Sequence, residues 1–141
     1  MTSNFYIELN LQNEKHFVGC FSIKSLPPWP SKLPASFVIY HNSHWVAILL
    51  INKKICLYFD SFGKKISNIS LMNYLKPYYQ RIFFNNFQLQ HDESSKCGQF
   101  CITFIKLVQS QTEFKNYILL FDRKSLLKND EIVNNLMLKC K

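Results

Sequence analysis

Three residues in this chain carry the chemistry of a nucleophilic site. Cys97 stands in "QLQHDESSKCGQFCITFIKLV", residues 88–108, where polar residues lead into Cys-Gly and an apolar helical pattern begins at once. A cysteine in the first turn of a helix sits among unpaired N–H groups at the positive end of the helix dipole, which favours a thiolate. Ser94 or Ser95 is placed to cap that helix. Gly98 leaves room for a substrate backbone, and the Cys97 N–H can point at a developing oxyanion. His44 opens the apolar run "HWVAILLI", and Asp60 follows the run "KICLYF". A turn centred on Asn52 would set His44 opposite Asp60, with Cβ atoms about 4.5–5.5 Å apart. A carboxylate on one imidazole nitrogen leaves the other free to act as a base.

Taken singly, each residue has a plainer role. A histidine at a strand end is commonly structural, an aspartate there commonly belongs to a turn, and a cysteine on an apolar helix is commonly core. Cys101, one turn further along the same face, fits that core role. The three together, at a helix start, a strand start and a strand end, make the stronger case. A zinc site drawn from His44, His91, Cys97 and Cys101 is disfavoured, because these residues lack paired-ligand spacing.

The elements that must position these groups follow from pattern. Residues 5–11 form a short strand or a ragged helix. Residues 26–34 are loop, because Pro27, Pro28, Pro30 and Pro34 remove donors and restrict their neighbours. Strands are expected at 37–40, 44–51 and 54–59, the second apolar on both alternating faces and therefore central and covered on both sides. The polar break at 52–54 implies a hairpin. A helix capped by Ser67 or Ser70 spans 67–83, broken near Pro77, with Leu71, Leu75 and Tyr78 or Tyr79 on its apolar face. "FQLQ", 87–90, is a further short strand. Helical spacing runs from Cys97 to about residue 110, and a last helix covers 130–139, capped by Asp130 and packed through Ile132, Val133, Leu136 and Met137. Strands mixed among helices give an α+β or α/β domain.

The 141 residues favour one domain, 1–141. A hydrophobic fraction of 48% and an aromatic fraction of 16% are enough for a core and argue against global disorder. No apolar run reaches the length of a membrane span. The opening "MTSNFYIELNLQNEK" has neither the basic end nor the apolar centre of a secretory leader, so an intracellular protein with free thiols is expected. The net charge of +8 is spread over Lys53-Lys54, Lys64-Lys65, Arg123-Lys124 and Lys139 with Lys141. It permits non-specific contact with DNA or RNA, although no nucleic-acid-binding motif accompanies it.

The segments "HWVAILL", "CLYFDSFGKK" and "QLQHDESSKCGQFCITFI" resemble the adenovirus-type (adenain-like) cysteine proteases, within the larger group that includes the proteases for SUMO and other ubiquitin-like proteins. His44-Trp45 matches the His-Trp that opens a strand in that family. Asp60 with Phe62-Gly63 matches the acidic residue before an aromatic and Gly. Gln90 stands seven residues before Cys97, and Cys97-Gly98-Gln99-Phe100-Cys101 matches the start of the nucleophile helix. The resemblance extends over about residues 16–110.

It implies a papain-like α+β fold of the adenain type, with a central mixed sheet and the nucleophile at the N-terminus of a packed helix. It further implies Cys97 as nucleophile, His44 as general base, Asp60 as the group orienting the imidazole, and Gln90 as an oxyanion-hole amide beside the Cys97 N–H. Trp45 and Gly98 would line the substrate cleft. The activity implied is an endopeptidase that cleaves viral or mobile-element precursors at Gly-containing sites during particle maturation, in the virion and host nucleus if viral and otherwise in the nucleus or cytoplasm. The alternatives are a protease or isopeptidase for ubiquitin-like modifiers and a non-enzymatic, nucleic-acid-associated protein with a relic protease fold. The chemistry requires no metal or other cofactor. Activation by DNA or by a peptide is compatible with the family. The family's disulfide-linked mode of peptide activation is not expected in this chain, because no cysteine lies between Cys56 and Cys97, where the adenovirus enzymes link their peptide.

Overall fold

The structure, a computed structural model, describes residues 2–140. Met1 and Lys141, the last of the basic residues noted above, lie outside the described residues. In chain order the elements are helix α1 (Asn4–Leu11), strands β1 (Phe17–Ser22), β2 (Ala35–His41), β3 (His44–Leu50) and β4 (Cys56–Phe59), and helix α2 (Ile69–Tyr74). A 3-10 turn (Lys76–Tyr78), strand β5 (Ile82–Phe84) and helices α3 (Cys97–Leu107), α4 (Gln111–Ile118) and α5 (Leu127–Lys139) follow. The strands form one sheet in sequential order. The outer pairs, β1–β2 and β4–β5, are parallel, and the two inner pairs are antiparallel. The fold is therefore mixed α+β.

The central strand β3 explains the layering. Trp45, Ala47 and Leu49 pack into one cluster with residues of α1, α3, α4 and α5, whereas Val46, Ile48 and Leu50 pack into a second with Leu71, Leu75 and Tyr78. A strand apolar on both alternations needs a cover on each face, and this one has both. Helix α3 lies directly on β3, buried along Phe100, Cys101, Phe104 and Ile105. Phe59 of β4 stacks on Phe104 at 5.0 Å, and Phe114 and Tyr117 meet it edge-on.

Of the two readings of residues 5–11 the helix is found, with the Ser3 side chain accepting from the Tyr6 N–H. Several other expectations need correction. Helix α2 is capped by Asn68 rather than Ser67 or Ser70, and it gives way to a 3-10 turn at Pro77. Residues 82–84 are a strand paired parallel to β4, not the end of a helix. Residues 87–90 are not a strand, because the N–H groups of Leu89 and Gln90 both converge on the Ser61 carbonyl, at 2.8 and 2.9 Å, instead of forming a ladder. Helix α5 starts at Leu127, so Asp130 lies in its first turn rather than at its cap.

The β3–β4 register also differs from expectation. Pairing runs from Leu50↔Cys56 to Ala47↔Phe59, which centres the turn on residue 53, not 52. The cause is local: Asn52 Oδ1 accepts from the N–H groups of Lys54, at 2.7 Å, and Ile55, at 3.0 Å, and so winds a wider connection. Continued past its last pair, this register would set His44 opposite Phe62, with Asp60 on the diagonal.

Candidate active site

His44 stands at the first residue of β3, and its Nε2 lies 2.7 Å from Asp60 Oδ1. Diagonal cross-strand neighbours are within reach of such side chains, so the shifted register still brings the pair together. The Phe62 ring stacks on the imidazole at 4.5 Å and 30°, placing an aromatic face against a group that carries positive charge when protonated. Asp60 Oδ1 also accepts from the Phe62 N–H at 2.8 Å.

Asp60 is held on all sides. Asn85, buried beyond β5, accepts from the Asp60 N–H through Oδ1 at 3.1 Å and donates through Nδ2 to the Asp60 carbonyl at 2.5 Å. The Gly63 N–H closes a turn onto the same carbonyl at 2.7 Å. Gly63 has φ +72°, and a Cβ there would stand 2.5 Å from the Phe87 carbonyl carbon and 2.7 Å from the Gln88 nitrogen. Gly63→Ala is expected to destabilise the protein by at least about 1–3 kcal/mol, since both the backbone conformation and rigid neighbouring backbone oppose it. Urea unfolding measures this, and an unchanged midpoint would show that the turn can relax.

Cys97 is the first residue of α3 and only 4% exposed. The serine caps expected there are absent: the N-cap is Lys96, without a side-chain cap hydrogen bond. Ser94 Oγ instead accepts from the Lys96 N–H at 3.1 Å and donates to Asp130 Oδ1 at 2.6 Å. An uncapped helix start leaves its N–H groups to an anion. Burial acts to raise the Cys97 pKa. It is outweighed by the interaction with the His44 imidazole, by the Trp45 N–H, by the charge of His44 and by the Gly98 N–H, so the thiol titrates below its ordinary value. For His44, burial opposes the charge. The hydrogen bond to Asp60, the interaction with the Cys97 thiol and the charges of both outweigh it and lift the imidazole to about 9. With Nε2 taken by Asp60, the buried Nδ1 has no hydrogen-bond partner and is the nitrogen left for the thiol. The pair therefore favours thiolate and imidazolium together.

The other four cysteines behave oppositely. Burial pushes Cys20 and Cys56 up to about 12, and raises Cys101 and Cys140 as well. No two of the five cysteines are bonded. Among the described residues, no group of three or more His, Cys, Asp and Glu side chains is arranged to hold a metal ion, and no helix is long and apolar enough to cross a membrane.

Gln90 is buried, with Oε1 accepting from Ser61 Oγ at 2.5 Å and Nε2 donating to the Ser94 carbonyl at 2.8 Å. Trp45 is 6% exposed, and its indole N–H donates to the Thr2 carbonyl at 2.9 Å. Thr2 also fills the space beside Gly98: a Cβ on Gly98 would meet the Thr2 side chain at 2.5 Å, and Thr2 Oγ1 donates to Gln99 Oε1 at 2.8 Å. The face of Gly98 expected to receive a substrate backbone is thus covered by the chain itself. A cavity of about 180 Å³ opens instead on the His44–Asp60 side, lined among others by Tyr58, Phe62, Lys64 and Lys65, and Cys97 is not among its walls.

Sequence patterning did not single out Asn85, Ser61 or Thr2. Their roles arise from side-chain contacts with backbone far along the chain, for which no local signal exists. A scan against protein-family models finds no match for this chain, and a search of curated proteins finds no relative.

Proposed function

We propose that the chain is a cysteine endopeptidase with a papain-like fold of the adenain type, acting on viral or mobile-element precursor proteins at Gly-containing sites. One observation carries this reading: a buried imidazole bonded at Nε2 to Asp60, with its other nitrogen left for a thiol of lowered pKa at an uncapped helix start. In the proposed mechanism, Cys97 Sγ attacks the scissile carbonyl carbon, and the carbonyl π pair moves to oxygen. The Cys97 N–H and the second Nε2 hydrogen of Gln90 stabilise that oxyanion. His44 then transfers its proton to the leaving nitrogen, the C–N bond breaks, and a thioester remains. Water attacks the thioester as His44 takes up its proton, and the thiolate departs. Asp60 holds the ring and stabilises the imidazolium.

The buried Cys97 and the filled space beside Gly98, where Thr2 stands, favour a substrate with no side chain beside the scissile bond. A ubiquitin-like modifier ending in Gly-Gly fits the same chemistry and forms the competing substrate class. The spread of lysines accommodates a polyanion such as DNA as an activator.

The test combines labelling with turnover. Iodoacetamide is expected to alkylate Cys97 selectively below pH 7, ahead of Cys20 and Cys140. Peptide libraries rich in Gly-x↓Gly and Gly-Gly↓x, with ubiquitin-like fusions in parallel, are expected to yield cleavage that Cys97→Ala abolishes. Cleavage of the fusions alone would move the substrate class to the modifiers. Labelling of Cys97 no faster than of Cys20, with no cleavage in the presence of DNA or peptide activators, would leave the non-enzymatic alternative.

A further inference from the structure

The residue after Asp60 grips Gln90 at two points. Ser61, 1% exposed, accepts from the Gln90 backbone N–H through its carbonyl at 2.9 Å and donates through Oγ to Gln90 Oε1 at 2.5 Å. The same carbonyl accepts from the Leu89 N–H at 2.8 Å, which pins the approach to Gln90 as well. The amide end is bound in turn to the Ser94 carbonyl, in the turn that leads into α3.

The two ends of a glutamine side chain are chemically opposite: Oε1 only accepts, and Nε2 only donates. An amide rotated by half a turn would present lone pairs where an oxyanion is to form. The Ser94 carbonyl only accepts and so requires Nε2 at its end; the Ser61 hydroxyl, able to donate or accept, then donates to Oε1 and holds that end, and Nε2 keeps one hydrogen beyond the one used by Ser94. Hydrogen bonding at Oε1 also polarises the amide and strengthens Nε2 as a donor.

We infer that Ser61 is a positioning residue for the oxyanion hole, holding the Gln90 side chain by its Oε1 end and polarising the amide so that the spare Nε2 hydrogen serves the oxyanion, an inference that rests on the protease reading above. The dipeptide Asp60-Ser61 then serves both halves of the site, with Asp60 holding the imidazole and Ser61 holding the amide. This places the acid–base arm and the oxyanion arm on adjacent residues of one segment, itself clamped by Asn85.

Two probes separate the arms. Iodoacetamide needs only the thiolate. N-acetyl-glycyl-glycinal needs the oxyanion hole too, because its carbonyl carbon bonds to Cys97 Sγ and its oxygen takes the electron pair, to be protonated from His44 with no net oxidation. In Ser61→Ala, alkylation of Cys97 is expected to keep its pH dependence, which also reports an intact site. The affinity for the glycinal, read as protection against alkylation, is expected to fall about tenfold, and kcat to fall with little change in KM. Gln90→Ala is expected to lose about a hundredfold, and Ser61→Ala to cost nothing further in that background. Undiminished glycinal affinity in Ser61→Ala, or losses that add in the double variant, would overturn the inference while leaving the protease reading intact. A wild-type protein that neither alkylates selectively at Cys97 nor binds the glycinal would overturn both.

Discussion

Replacing His44 with alanine is expected to lower peptide hydrolysis by about 10⁴- to 10⁶-fold, the range seen when a member of a nucleophile–base pair is removed. It is also expected to return the Cys97 thiol to the alkaline range. The largest influence on that thiol is burial, which opposes ionisation. The influences that override it are led by the interaction with the His44 imidazole, with the Trp45 N–H, the charge of His44 and the Gly98 N–H behind it. Without the imidazole only the two backbone donors oppose burial, so alkylation should rise only in alkali. In the wild type the sign of each limb follows from the pair. As pH falls through the lowered Cys97 value, the thiolate is protonated and attack fails. As pH rises through about 9, His44 loses the proton that the leaving nitrogen needs. A bell-shaped kcat/KM profile is therefore expected, with alkylation following the acid limb. A His44→Ala protein whose Cys97 still alkylates below pH 7 would show that the helix start alone sustains the thiolate.

The second large effect concerns the scaffold. Phe59→Ala is expected to destabilise the protein by about 3–5 kcal/mol, because a fully buried ring is removed from a packed aromatic cluster. Phe59 stacks parallel to Phe104 on the nucleophile helix and is met edge-on by Phe114 and Tyr117, so truncation loosens β4, α3 and α4 at once. Phe59 immediately precedes Asp60, and the loss is expected to reach activity before it reaches global unfolding. The urea midpoint should fall with the m-value unchanged. A midpoint within about 1 kcal/mol of wild type would mean that the cluster repacks around the gap.

The parts legible in the sequence were those with a local signature. The doubly apolar run at 44–50, the proline loop at 26–34 and the helix opening at Cys97 all declared themselves through pattern. The pairing of His44 with Asp60 was expected from a register that proved two residues off; it survives because the side chains reach along the diagonal. The Asn52 turn that sets the true register depends on one side-chain oxygen serving two N–H groups, which loop length alone does not reveal. Helix α4 was missed, although Ser110 and Glu113 give the spacing of a capping box: Ser110 Oγ accepts from the Glu113 N–H, and Glu113 Oε1 accepts from the Gln109 N–H. The pattern over 82–84 reads as the end of a helix because three residues carry too little periodicity to decide. That error hid Asn85, since only the parallel pairing of β5 with β4 brings it to the Asp60 backbone.

The two tryptophans occupy opposite faces of the sheet in different media. Trp45 is nearly buried against Tyr40, one residue from His44, and its indole N–H is fixed on the Thr2 carbonyl. Trp29 is 42% exposed and stacks on Tyr78 in the proline loop of the other face. In optical terms the chain carries two emitters of different colour. The blue component reports on whatever touches the segment at Thr2, and the red one serves as an internal reference. Displacement of Thr2 from the indole can thus be followed in the unlabelled protein, at the wavelength of a single side chain.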